Sequence, residues 1–274
     1  VNEDAELPEN DHRIDLVEAV GHHHQPANKT EIPERIGHDR ATCPFTGDPL
    51  HEPPPGEHQL THAALKTKQR DIRSAFPEQL GLRIHRAISW LGRSEREADD
   101  HDLRFILLWV GFNAAYAHDV GTDMTGERAA FKTYFDALVE LDAGHRIYNA
   151  VWTRFPHEIR ILLNNKYVFA PFWNHQNGQN GYENWAETLA GSQRVIGTAM
   201  AQRDTSRLLS IVFDRLYVLR NQLVHGGATW NSSVNRSQVR DGAAVLGTLL
   251  PVFIDIMMDN PSRDWGKPFY PVVE

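Results

Sequence analysis

Residues 103–117 read Leu103-Arg-Phe-Ile-Leu-Leu-Trp109-Val-Gly-Phe112-Asn113-Ala-Ala-Tyr116-Ala117. This run is apolar almost all round a helix, which places it at the centre of a fold rather than on a surface. It falls short of the roughly 18 uninterrupted apolar residues a membrane helix needs, so no membrane span is expected. Helical spacing continues on both sides. Upstream, Leu80, Ile84, Ala87, Ile88 and Leu91 recur every three or four residues. Downstream, Phe131, Phe135, Leu138 and Leu141 mark another helix, and Ile147, Val151, Trp152, Phe155, Ile159, Leu162 and Leu163 mark one or two more. The Asn-, Gln- and Gly-rich stretch 171–181 reads as a loop. Periodicity resumes over 185–203 and 205–224, and Gly226-Gly227 ends the second of these helices. Ser232 or Ser233 is placed to cap a last helix over about 234–258. The tail 265–273, with Pro268 and Pro271, is extended. No alternation suggests a sheet and no repeat is present. The fold class is therefore an all-α helical bundle.

The chain has 274 residues and a formal net charge of −8, unevenly placed. Residues 1–62 hold 13 Asp+Glu against 4 Lys+Arg, with 8 of the 15 His, 8 of the 15 Pro and a single aromatic, Phe45. So few large apolar groups cannot offset the ordering entropy of that segment. We take 1–75 as an acidic, Pro- and His-rich arm, extended or disordered in part, with a short helix near 14–20 and a stiff Pro53-Pro54-Pro55. The helical domain is 76–274. Net acidity argues against a general DNA-coating protein and leaves room for a local basic cleft. The one cysteine, Cys43, rules out an internal disulfide. His12, His22-His23-His24, His38 and Cys43 lack the spacing of a defined zinc site, so no metal is expected. Residues 1–10 are acidic, without the basic and apolar regions of a signal peptide, which points to the cytoplasm.

One stretch carries chemistry: Leu216-Tyr-Val-Leu-Arg220-Asn221-Gln222-Leu223-Val224-His225-Gly226-Gly227. Histidine moves protons near neutral pH. Arginine presents a planar, permanently charged fork that fits phosphate oxygens. Together they suit cleavage of an RNA phosphodiester by its own 2′-hydroxyl, with no cofactor. The same residues also suit a plain helix terminus, where cations are favoured and His before Gly-Gly is an ordinary stop. Five residues along an ideal helix leave the two side chains roughly 140° apart. A symmetric dimer could bring two copies into one cleft.

Arg220-Asn221-Gln222-Leu223-Val224-His225 resembles the Arg–polar–spacer–His signature of HEPN domains. Four other stretches are similar to that family: Arg83-Ile-His85-Arg86-Ala-Ile-Ser89-Trp90-Leu91, Trp109-Val-Gly-Phe112-Asn113-Ala-Ala-Tyr116, the segment that runs from Asn164-Asn165-Lys166-Tyr-Val-Phe169 to Gly178, and Trp230-Asn231-Ser232-Ser233. The likeness covers about 76–274 and is greatest to the ApeA-like HEPN group. It implies a HEPN-like helical bundle, usually a homodimer with both Arg–His motifs facing a shared cleft. In many members it implies a metal-independent endoribonuclease, often a toxin or phage-defence effector, with RNA as partner and an antitoxin or regulatory protein as another. On that basis Arg220 binds phosphate, Asn221 orients the groups around it and His225 is the catalytic acid/base. Members controlled by modification of a tyrosine carry it two residues after the His; Gly227 stands there, so the likeness does not extend to that control. Other HEPN domains only bind RNA, a nucleotide or a protein, and this is the alternative.

Further candidates surround the motif. Arg236 and Arg240, four apart on the last helix, are placed to touch RNA phosphates or to form a solvated face beside Asp241 and Asp255. Trp173 is either a base-stacking side chain or an anchor for a surface connection. Asn113, polar in an apolar helix, needs partners: it is a structural hub or a support behind the cleft. His85 is either such a support or a packed or surface residue.

Overall fold

The computed structural model describes residues 60–116, 124–233, 235–268 and 270–272, with backbone alone over 124–130. All belong to Pro53–Glu274, the second of two contact units. They form an all-α fold, with no strand among the described residues. The helices are α1 (His62–Ile72), α2 (Glu78–Ser94), α3 (His101–Tyr116), α4 (Met124–Leu141), α5 (Arg146–Asn149), α6 (Pro156–Asn164), α7 (Ala170–Gln176), α8 (Trp185–Gln202), α9 (Thr205–Val224) and α10 (Arg236–Asp259).

The apolar run at 103–117 becomes the central helix α3, packed chiefly on α2 and α10, while α4 lies along α9. Phe105, Leu108, Trp109, Phe112 and Ala115 are all buried. Phe112 is the hub: its ring centroid lies 4.5 Å from Phe213 and 5.1 Å from Tyr116. Phe135 and Phe253 complete the cluster from α4 and α10. Truncating a ring so enclosed costs about 3–5 kcal/mol. Helix α10 is long and apolar enough to cross a membrane, but 78% of its most apolar window is buried in this fold.

Local chemistry sets the helix starts. Thr61 Oγ1 accepts from Ala64 N at 3.3 Å, Asp100 Oδ1 from Leu103 N at 2.9 Å, and Asp204 Oδ1 from Arg207 N at 3.1 Å. Each satisfies an orphan donor of a first turn. Between α5 and α6 the chain makes a π-turn over Ala150–Arg154, closed by Phe155 N donating to Ala150 O at 3.0 Å.

Three expectations are corrected. The arm does not extend to residue 75: α1 packs on α2 and α10, with Leu65 buried and Lys68 Nζ 2.6 Å from both Asp255 and Asp259. It buries only Leu65 and Gln69, although the pattern turns helical from about Leu60. Residues 170–176 are the helix α7 rather than loop, with Phe172 buried and the Asn, His and Gln side chains outside the core. The last helix begins at Arg236, and its N-cap position is Asn235, left-handed at φ 61°, not a serine. The expected helix at 14–20, Pro53–Pro55 and the histidine-rich group of 12–43 lie outside the described residues.

Candidate functional site

Helix α9 buries Leu208, Leu209, Val212, Phe213, Leu216 and Leu219, which leaves its C-terminal end as the exposed edge of an anchored rod. That end closes as a Schellman turn. Gly227 N donates to Gln222 O at 2.7 Å and Gly226 N to Leu223 O at 3.3 Å. Gly226 takes φ +70°, and a Cβ on Gly227 would stand 3.1 Å from Gln222 O, so the turn favours glycine at both positions.

Arg220 is half-buried. Its Nη1 donates to Asn221 Oδ1 at 2.8 Å, and its guanidinium carbon lies 5.9 Å from the Tyr217 ring centroid. Among the described residues its charge has no carboxylate partner. His225 is exposed and forms the cap, its backbone N donating to Asn221 O at 3.0 Å. Helical hydrogen bonding thus persists to the cap, where His225 itself leaves helical geometry at φ −91° and ψ 13°; an ideal helix sets positions 220 and 225 roughly 140° apart. Within one chain no bond joins them.

Two sets of contacts fix the surroundings. On one side Gln222 Nε2 donates to Tyr167 O, which also accepts from Trp173 Nε1 at 2.7 Å, while Asn235 Nδ2 donates to Gln222 Oε1 at 2.9 Å. Trp173 is therefore joined to the motif through one carbonyl; it is half-buried, its ring 5.2 Å from Phe172 and its N–H already used. Lys166, which sequence reasoning did not single out as a site residue, stands over Tyr167 and Phe172 at 5.1 Å and 5.5 Å from their ring centroids. On the other side the 225–235 connection is tied to the start of α3. Trp230 Nε1 donates to Asp100 Oδ2 at 2.9 Å and Asn231 N to Asp102 Oδ2 at 2.7 Å.

Arg236 belongs to this tie. Its Nη2 and Nη1 reach the two oxygens of Asp102 at 2.6 Å and 3.1 Å, and Nη1 also donates to Asn231 Oδ1 at 2.8 Å. Its fork is committed to a carboxylate rather than presented to solvent. Arg240 is exposed and pairs with Asp241 at 3.0 Å; Asp255 is engaged elsewhere, by Lys68 and Arg146. Asn113 is half-buried on the stripe of Ile106 and Val110. His85 is exposed on α2, 3.5 Å from Lys66 of α1, and no contact links it to the motif.

The charges near the loop perturb one another. Burial, then the cations of Arg236, Arg104 and Arg240, hold the His101 imidazole below its ordinary value. The bond from Leu103 N holds the Asp100 carboxyl low, helped by Trp230. Val224, Trp230 and Tyr167 stand 51%, 74% and 45% exposed around the end of α9. Among the described residues no three His, Cys, Asp or Glu side chains gather as a metal site. No family model matches the chain, and no curated protein or solved structure matches it.

Proposed function

We propose that the C-terminal end of α9 is an RNA-cleaving site of the HEPN type. The observation that carries this reading is the state of Arg220: oriented by Asn221, laid on Tyr217 and, among the described residues, unneutralised by a carboxylate. A fixed guanidinium in that state is suited to an anion. His225, exposed at the adjacent cap, accepts the proton of the RNA 2′-hydroxyl as that oxygen attacks phosphorus, and a proton is returned to the departing 5′-oxygen. Arg220 holds the non-bridging oxygens as charge builds on them. The products are a 2′,3′-cyclic phosphate and a 5′-hydroxyl, and the chemistry draws on no metal.

The angle between Arg220 and His225 favours a two-fold dimer, in which two α9 ends face one cleft and supply both groups to one phosphate. The exposed Val224, Trp230 and Tyr167 around the motif are the apolar surface such a dimer would cover. A toxin or defence effector is the role this activity would serve.

The pairing of Arg236 with Asp102 and of Arg240 with Asp241 favours a second reading, in which the domain binds RNA or a protein without cutting. Cleavage kinetics separate the two. Arg220→Ala and His225→Ala should each lower the cleavage rate about 10²–10⁴-fold, with unchanged helical circular dichroism. Equal cleavage by wild type and both variants would refute the ribonuclease; RNA retained but not cut by the wild type would establish the binding module.

A further inference from the structure

At the opposite end of α9, about 30 Å from the motif by helix rise, a groove of about 320 Å³ opens between the π-turn, α6 and the α8–α9 junction. That volume lies within the roughly 300–1,000 Å³ of small-molecule sites. Its floor is apolar, formed by Val151, Ile159, Met200 and Leu208. Its rim carries two aromatic side chains, Tyr148 and Trp152, and two arginines, Arg160 and Arg203. Among the described residues no Asp or Glu lines it.

The groups are held in different ways. Trp152 Nε1 donates to Thr205 Oγ1 at 2.9 Å, which fixes the indole. Arg203 sits left-handed at φ 51° and donates from Nη1 to Tyr148 Oη, with its guanidinium carbon 5.8 Å from that ring centroid. Arg160 is exposed and has no ion-pair partner among the described residues. Asp204, the acid beside Arg203, turns its Oδ1 to cap α9 at Arg207 N. The π-turn is what brings Val151 and Trp152 to the groove, and single π-turns inside helices are frequent at functional sites.

We infer that this groove binds a nucleotide unit, its base against Trp152 and the apolar floor and its phosphate between Arg160 and Arg203. A planar apolar body with one anionic phosphate end matches both halves of the lining. Guanidinium forks bind phosphate oxygens bidentately, and aromatic faces accept any base. The unit comes either from a free nucleoside monophosphate or from one residue of an RNA strand. The inference is independent of the motif at the other end of α9.

The test is calorimetric titration of the full chain with the four nucleoside 5′-monophosphates, with adenosine, with inorganic phosphate and with a 2′-O-methyl oligonucleotide that resists cleavage. At least one monophosphate should bind saturably below about 1 mM, and about tenfold more tightly than adenosine or phosphate alone. Arg160→Gln and Arg203→Asn, the latter keeping a residue tolerant of left-handed backbone, should each weaken binding about tenfold without altering the thermal midpoint. His225→Ala should leave binding unchanged. Competition by the oligonucleotide below the monophosphate's own concentration assigns the site to a strand; absence of competition assigns it to a free nucleotide. No saturable binding by any monophosphate, or binding untouched by the Arg160→Gln/Arg203→Asn double variant, overturns the inference.

Discussion

Replacing Arg236 with Gln and Asp102 with Asn, singly and together, asks whether the arginine beside the motif holds the loop or holds RNA. The pair has bidentate contacts at 2.6 Å and 3.1 Å, and the side chains are 28% and 13% exposed. That places it between a surface ion pair, worth about 0–1 kcal/mol, and a buried one, whose breaking costs about 3–5 kcal/mol. Asp102 also accepts from Asn231 N, and Arg236 donates to Asn231 Oδ1, so each single change disturbs the same turn. We expect each single variant to lose about 2 kcal/mol, between those bounds. For a domain of this size that is about 4–8 °C in Tm. The double variant should lose far less than the sum, giving a coupling of about 1.5 kcal/mol in a urea double-mutant cycle. A direct phosphate contact would instead reduce the salt slope of RNA binding by about one unit when Arg236 is removed; the tied arginine leaves that slope unchanged. A coupling under about 0.5 kcal/mol, together with a shallower slope, would refute the structural role and return Arg236 to the RNA.

Other consequences can be measured separately. Because His101 is held below its ordinary value of 6.5, the unfolded chain takes up its proton first as pH falls. Stability should therefore drop below about pH 6.5, and His101→Gln should flatten that part of the pH profile; an unchanged profile in the variant would exclude His101 as its source. Asp255, 6% exposed and paired with Lys68 and Arg146 at 2.6 Å each, joins α1, α5 and α10. Asp255→Ala should cost about 2 kcal/mol, between an exposed pair and a buried one, because Lys68 keeps Asp259 and Arg146 keeps Asp142 when the shared carboxylate is lost; the cost is read as a shift in the urea midpoint, and a change below about 1 kcal/mol would sink the argument that this cluster anchors α1. Gly226→Ala, at φ +70°, should destabilise by about 1 kcal/mol through the left-handed backbone alone; an unchanged thermal midpoint would contradict the strained cap.

How much of this was legible beforehand depended on how far apart the determining residues lie. Helices α2, α3 and α9 announce themselves because burial of a continuous apolar stripe imposes period on the sequence. For helix α1 the helical pattern from about Leu60 was legible but its membership of the domain was not, since its place is secured by one leucine and by Lys68 reaching acids of α10, 187 positions away in the case of Asp255. Helix α7 is hidden by its polar Asn-His-Gln end, and only Phe172 enters the core. The motif itself is contiguous and was readable, down to its glycine stop. Its supports were not: Gln222 meets a carbonyl 55 residues away, and Arg236 meets Asp102 across 134. Two arginines four apart on a helix look alike on paper, and only the packing of α3 against α10 separates the committed Arg236 from the exposed Arg240.

The central claim is tested most directly by the chemistry of the RNA ends. A single defined RNA should be incubated in EDTA with the wild type and with the His225→Ala variant, and the new termini mapped. The account predicts 2′,3′-cyclic phosphate and 5′-hydroxyl ends from the wild type alone. Identical ends at identical rates from the variant, or 3′-hydroxyl and 5′-phosphate ends from the wild type, would contradict it.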